Sequence, residues 1–287
     1  MQSKQIWFAL GLSALLSVPA LAQAPFATFE RASEPVLNDP HDLTLGPDGK
    51  LYVADKFGHR IVVMDSETLE ILDVIDEGKL PGIHDISFGP DGKAYVAVTG
   101  GSVVAIYSFV DGRLSLDNYL GSFPNTEGVL AHSNGRLYVM ASGSGDLVAV
   151  SGTTMHAISH GHFGAHDVAE ALDGTIWLAD NARSRLIRFS EDLEQLQVLD
   201  DPKFGFIGPR YVDVDDFGRL IVADQDAHRI LLIDPETERL IGVLGDGMPG
   251  VGPYSFDDPE GALVVGNTYY FADSDNNRIV KYVVILN

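Results

Sequence analysis

The residue pattern of this chain recurs six times, and that recurrence limits the possible folds more than any other feature. The period is about 43 residues, a spacing at which each unit is one supersecondary motif that buries its apolar face only against a neighbour. The units open at His41-Asp42-Leu43, His84-Asp85-Ile86, Glu127-Gly128-Val129, His166-Asp167-Val168, Arg210-Tyr211-Val212 and Glu260-Gly261-Ala262. Eight residues into each of the first five lies a turn glycine: Gly49, Gly92, Gly135, Gly174 and Gly218. The turns read GPDG, GPDG, HSNG, ALDG and DDFG, which are hairpin signals because Gly accepts positive φ and Asp or Asn folds back on the backbone. The last unit turns at Gly266-Asn267. A β-rich run follows each turn (LYVAD, AYVAV, LYVMA, IWLAD, LIVAD, YYFAD). A loop then leads to a third apolar run beginning near Ile61, Val104, Leu147, Leu186, Ile230 and Ile279. A fourth run closes the unit, as in Leu69 to Ile75 and Arg239 to Leu244.

Four short strands per unit, without helical periodicity, predict an all-β chain folded as a six-bladed β-propeller. The sixth unit lacks its fourth strand because the chain stops at Asn287. Phe26 to Arg31 is expected to supply it and close the ring, which leaves fewer free strand edges. A closed ring needs no partner, so a monomer is expected. The propeller is read as a single domain over residues 23–287, with blades starting near 41, 84, 127, 166, 210 and 260. Residues 1–22 read as a secretory signal peptide. Lys4 precedes an apolar stretch from Ile6 to Val18, then Pro19 and the small-x-small pattern Ala20-Leu21-Ala22. The mature chain is therefore expected to be secreted or periplasmic, and no later stretch has the length and apolarity of a membrane span.

The charge balance removes one class of partner. With 41 acidic and 19 basic side chains, for a net charge of −22, the chain is a poor match for a nucleic-acid backbone, where affinity comes from cationic groups. The absence of cysteine excludes disulfides, thiolate metal ligands and a cysteine nucleophile. Neither a Gly-x-Ser-x-Gly elbow, a phosphate loop nor an HExxH helix is present.

Strands of a meander alternate in direction, so the repeat starts and the loops between second and third strands share one face, here called the top. Seven of the nine histidines fall there. The innermost strands line the axis, so His41, His84, Glu127, His166, Arg210 and Glu260 are expected to ring the channel mouth. His41, His84 and His166, with Glu260, are the candidate ligands of a divalent metal. Neutral imidazole favours zinc first, with calcium as the second choice. The neighbouring Asp42, Asp85 and Asp167 are candidates to orient the imidazoles or to hold a separate hard cation. A merely wet, polar channel entrance is the alternative that needs no chemistry. The His160-x-His162-x3-His166 spacing resembles a metal pattern, but flanking glycines favour a polar loop. His59 and His228 read as loop caps. Asp55/Arg60, Asp180/Arg185, Asp224/Arg229 and Asp273/Arg278 read as structural pairs between second and third strands.

Residues 41–287 resemble the NHL-repeat family of propellers, most closely at Asp224–Ile230 (DQDAHRI) and Asp273–Ile279 (DSDNNRI). Val98 and Ala141 stand where the other units carry Asp. The resemblance implies the propeller fold, on which both binding scaffolds and enzymes are built. Within that group the chain is similar to the peptidyl-hydroxyglycine lyases of peptide amidation. That implies zinc on repeat-start histidines, a calcium nearby, and Arg and Tyr groups at the mouth. His41, His84 and His166 match those ligands in kind, although they come from blades one, two and four rather than from alternating blades. On this resemblance Arg210 binds a substrate carboxylate through its planar fork, and Tyr211 or Glu127 transfers a proton. The chain also resembles gluconolactonase-like propellers, which set a Glu, an Asn and an Asp around calcium. Glu127 or Glu260 fills the Glu role, but no Asn stands at a repeat start. Three functional expectations result: an exported metal-dependent lyase or hydrolase, a calcium-dependent lactonase-like hydrolase, or a non-catalytic propeller that binds a ligand or protein. In each case the ligand, a small molecule or a peptide, meets the top face.

Overall fold

The computed structural model describes residues 25–284, so the leader pattern of residues 1–22 lies outside the described residues. Strands β1 to β24 form six four-stranded antiparallel sheets in chain order. Strand β1 is Ala27–Ala32. Blade one holds β2 (Pro40–Leu45), β3 (Leu51–Asp55), β4 (Arg60–Met64) and β5 (Ile71–Ile75). Blade two holds β6 (Ile83–Phe88), β7 (Ala94–Val98), β8 (Val103–Val110) and β9 (Arg113–Gly121). Blade three holds β10 (Thr126–Ala131), β11 (Leu137–Ala141), β12 (Asp146–Ser151) and β13 (Thr154–His160). Blade four holds β14 (Val168–Glu170), β15 (Ile176–Asp180), β16 (Arg185–Phe189) and β17 (Gln195–Leu199). Blade five holds β18 (Pro209–Val214), β19 (Leu220–Asp224), β20 (Arg229–Asp234) and β21 (Arg239–Leu244). Blade six holds β22 (Pro259–Val265), β23 (Thr268–Asp273) and β24 (Arg278–Val284), and β1 is its outer strand.

The chain is a six-bladed β-propeller whose ring is closed by its own N-terminal strand. Pairing runs from Ala27↔Val284 to Ala32↔Val280. Phe26, next to this strand, is 1% exposed and packs edge-on against Tyr269 at 5.8 Å between centroids. At the blade-one hairpin Gly49 sits at φ 78 and donates its N–H to Gly46 O at 2.9 Å, which is what the GPDG turn requires.

The second strand of most blades is buried along its whole length, as the short unbroken apolar runs predict. The core is divided into six apolar clusters, one between each pair of neighbouring blades. Each blade thus buries both faces, and no blade is stable without its neighbours.

Polar contacts fasten the blades as well. The recurrent Asp/Arg pairs join second and third strands at 2.6 Å in Asp55–Arg60 and 2.7 Å in Asp180–Arg185, Asp224–Arg229 and Asp273–Arg278. In three of these pairs the second carboxylate oxygen accepts the N–H that leads into the blade's first strand, at Asn38, Gly208 and Asp257. Asp42, Asp85 and Asp167, which directly follow mouth histidines, and Asp213 of blade five bind the next blade. Asp42 accepts Ile86 N–H, Asp85 accepts Val129 N–H, Asp167 accepts Val212 N–H and Asp213 accepts Val264 N–H, at 2.7–3.1 Å. The four aspartates line one cavity together with the residues that follow them on the innermost strands. No helix among the described residues is long and apolar enough to cross a membrane.

Candidate metal centre at the channel mouth

Each mouth residue is placed by a local irregularity. The pairing of first and second strands slips between Pro40 and Asp42, Ile83 and Asp85, Thr126 and Gly128, Pro209 and Tyr211, and Pro259 and Ala262. His41, His84, Glu127, Arg210 and Glu260 are therefore the bulged residues of β-bulges, which re-aim a side chain that the regular pleat would send between blades. In blade four the N–H of His166 bonds Ala179 O at 3.0 Å, just ahead of β14.

The three histidines are neighbours in space. The rings of His41 and His84 lie 4.6 Å apart between centroids, and those of His84 and His166 6.3 Å apart. Their ligand atoms nevertheless fall into two groups. One is His84, Glu127 and His166; the other is Asp39, His41 and Glu260; within each group the donor atoms lie within 4.8 Å of one another.

In the first group the tautomers are fixed by the backbone. His84 Nδ1 is 2.9 Å from Gly82 O, and His166 Nδ1 is 3.1 Å from Gly164 O. A carbonyl oxygen only accepts, so each Nδ1 carries a proton, and Nε2 is the nitrogen left free of the backbone. Gly82 (φ 61) and Gly164 (φ 75) adopt the left-handed conformation two residues before the histidines they hold. Thr99 Oγ1 donates to Thr126 O at 2.6 Å and so accepts from His84 Nδ1 at 2.7 Å. Asn181 Oδ1 stands 3.2 Å from His166 Nδ1. His166 Nε2 is 2.7 Å from Glu127 Oε2, a buried oxygen. Burial works to raise the Glu127 carboxyl, but His166, then His84 and Ser142, hold it down at about 2. Burial, then His41, pushes His84 well below the ordinary histidine range, so its imidazole is neutral. Two imidazole nitrogens and one ionised carboxylate fit a first-row divalent ion, and three protein ligands leave a position open.

In the second group His41 is fully buried, and its Nε2 lies 2.9 Å from Glu260 Oε2. Burial, with Lys56 and Arg210 nearby, drives the His41 pKa well below 6.5. Burial raises Glu260 to about 7 against the pull of Arg210, and raises Asp39 to about 6. Gln225 donates to Glu260 Oε1 at 2.9 Å and to Asp258 Oδ2 at 2.6 Å, and accepts from Arg210 Nη1 at 2.5 Å.

The sequence-derived candidates thus reach the mouth in a rearranged grouping. Glu127 stands with the ligand atoms of His84 and His166. His41 and Glu260 pair with Asp39, which the repeat register did not single out. Arg210 lies between the two groups with a buried Nε that lacks a partner. Tyr211 is 1% exposed, donates its hydroxyl to His84 O at 3.0 Å across the channel, and burial raises its pKa well above 10. Its contact holds the His84 backbone. His162 turns away, with Nε2 on Ser159 Oγ at 2.9 Å, and His160 is exposed and pairs with Asp146. His59 and His228 accept Gly82 N–H and Asp258 N–H at 3.0 and 3.1 Å, bracing the turns that precede His84 and Glu260.

The fold and the mouth define a six-bladed propeller with an imidazole-and-carboxylate centre at one end of its channel. The NHL repeat model matches residues 37–64, the approach to blade one and its first three strands. No curated protein matches the chain. Among solved structures, virginiamycin B lyase from Staphylococcus aureus is similar at TM-score 0.65 and 12% identity, covering 90% of this chain and 100% of that one. A streptogramin B lyase is similar at TM-score 0.62 and 12% identity, covering 88% of this chain and 97% of that one. The PQQ-bound aldose sugar dehydrogenase of Streptomyces coelicolor is similar at TM-score 0.66 and 14% identity, covering 90% of this chain and 98% of that one. At these identities the likeness is one of fold.

Proposed function

We propose that this chain is a metal-dependent lyase or hydrolase whose ion is held by His84, Glu127 and His166. The observation that carries the reading is the convergence of two buried imidazoles, each with Nδ1 tied to a backbone carbonyl, on the Glu127 carboxylate, with the donor atoms within 4.8 Å of one another. A bound divalent ion supplies Lewis acidity toward a hydroxyl or carbonyl oxygen. The rest of the work falls to the protein. Gly82, Thr99, Gly164 and Asn181 hold the imidazoles in one tautomer, and Tyr211 holds the strand that carries His84. Arg210, fixed by Gln225, presents its unpaired Nε to an anionic group on the substrate, as a guanidinium suits. The similarity to solved lyases agrees with this class of reaction without naming the substrate.

The test is turnover of a panel of lactones, esters and peptidyl hydroxyglycines by the full chain. Activity is expected to disappear with a chelator, return with zinc, and fall at least 100-fold in His166→Ala. Turnover indifferent to both chelation and His166→Ala contradicts the metal assignment. Zinc bound at the mouth without turnover of any substrate contradicts the enzymatic assignment and favours a binding propeller.

A further inference from the structure

The six repeat starts divide into two arcs. Blades two, three and four supply His84, Glu127 and His166. Blades six and one supply Glu260 and His41, and Arg210 of blade five stands between the arcs. Asp39 completes the second arc, with its donor within 4.8 Å of those of His41 and Glu260.

The second arc sets a buried imidazole directly against two carboxyl groups. His41 is 0% exposed, and no side chain makes a well-formed hydrogen bond to either ring nitrogen, although the Asp39 backbone interacts with the ring. Its Nδ1 is 3.6 Å from Asp39 Oδ1, and its Nε2 faces Glu260 Oε2, which is also buried and without a hydrogen bond. A neutral imidazole has one lone pair to fill, and a buried ionised carboxylate is stabilised by a positive partner. The nearby cations leave these atoms alone. Lys56 Nζ reaches the other Asp39 oxygen, Oδ2, at 3.4 Å. Arg210 Nη1 reaches Glu260 Oε1 at 3.5 Å, the oxygen already held by Gln225. The two acids are thus gripped from behind with one oxygen each turned toward His41. The backbone fixes the set further. Asp39 sits at φ 59, and its N–H donates to Asn277 Oδ1 at 3.0 Å.

We infer that the mouth is a two-ion centre, with a second divalent cation held by Asp39, His41 and Glu260 beside the ion on His84, Glu127 and His166. One imidazole nitrogen and two carboxylates suit a first-row ion such as zinc. The His41 and His84 rings meet edge to face at 4.6 Å, so the two sites share a wall. The inference rests on the proposed first site for its partner ion but draws on a separate donor set.

Zinc stoichiometry tests it. The full chain is stripped with a chelator, dialysed against zinc at neutral pH, and analysed for zinc per chain. Glu260→Gln, Asp39→Asn and His166→Ala are treated in the same way. Gln keeps the size of Glu, and Asn accepts the left-handed backbone at position 39. Melting curves of the stripped variants confirm that each folds, and the two second-site variants back each other up. The parent is expected to bind two zinc ions, Glu260→Gln and Asp39→Asn one each, and His166→Ala one. A single ion in the parent, kept by Glu260→Gln and Asp39→Asn but lost in His166→Ala, overturns the second site and leaves the first standing. A single ion lost in Glu260→Gln and kept in His166→Ala overturns both the pair and the proposed function. So does a parent that binds none.

Discussion

Thr99 shows how much of the mouth is built by side chains that are not themselves ligand candidates. Its hydroxyl is committed as a donor to Thr126 O, so toward His84 Nδ1 it acts only as an acceptor. Thr99→Val keeps the branching and removes that acceptor. Zinc affinity is expected to fall about 10- to 100-fold, the usual cost of losing a partner that orients a metal-binding histidine. Titration calorimetry reads the change, and an unaltered affinity contradicts the assigned tautomer. The position is one of six in register, each directly after a second strand: Lys56, Thr99, Ser142, Asn181, Gln225 and Ser274. All are polar, and each meets a mouth residue or the turn beside it. That signal was present in the repeat alignment but overshadowed by the Asp/Arg pairs next to it. The repeat starts themselves were legible, because a shared register on the innermost strand places side chains about one axis. Their division into two sets was not, because it depends on which oxygen of Glu127 and Glu260 turns inward. Asp39 also escaped notice, since its neighbours in register are Gly82, Asn125, Gly164, Gly208 and Asp258, which read as turn residues rather than ligands.

At the level of strands, the hairpins and second strands follow directly from turn glycines and short apolar runs. The bulges do not, because a bulge exists only in the pairing of two strands. Asp42, Asp85 and Asp167, candidates to orient the imidazoles or to hold a separate hard cation, instead give one oxygen each to a backbone N–H of the next blade. Asp213 is the clearest case of such a link. It accepts Val264 N–H across the blade boundary at 2.7 Å and Val214 N–H in its own strand at 2.7 Å. Burial raises its carboxyl from 3.8 to about 7. The folded chain therefore holds a proton that the unfolded chain releases. The stability linked to that proton is complete below the unfolded pKa near 3.8 and is lost as pH rises through about 7. The slope approaches about 1.4 kcal/mol per pH unit between those limits. Asp213→Asn can still accept a backbone N–H but cannot titrate. Its urea-unfolding free energy is expected to fall less than the parent's between pH 5 and 8. Equal slopes in the two chains contradict the buried, proton-holding state.

The molecule as a whole makes the mouth possible. Six inter-blade cores hold six sheets about one axis, and β1 on β24 joins the ends of the chain. Glu260 belongs to the last blade and His41 to the first, so their 2.9 Å contact exists only in the closed ring. The missing outer strand of blade six and its replacement by the N-terminal segment were legible from counting strands in the repeats. The net charge of −22 agrees with a mouth that gathers cations, although charge alone places none. The most direct measurement is anomalous diffraction at the zinc edge from crystals of the full chain grown with zinc. A peak is expected about 2.0–2.2 Å from His84 Nε2, His166 Nε2 and a Glu127 oxygen. Zinc seen only away from these three residues, or none at the channel mouth, contradicts the account.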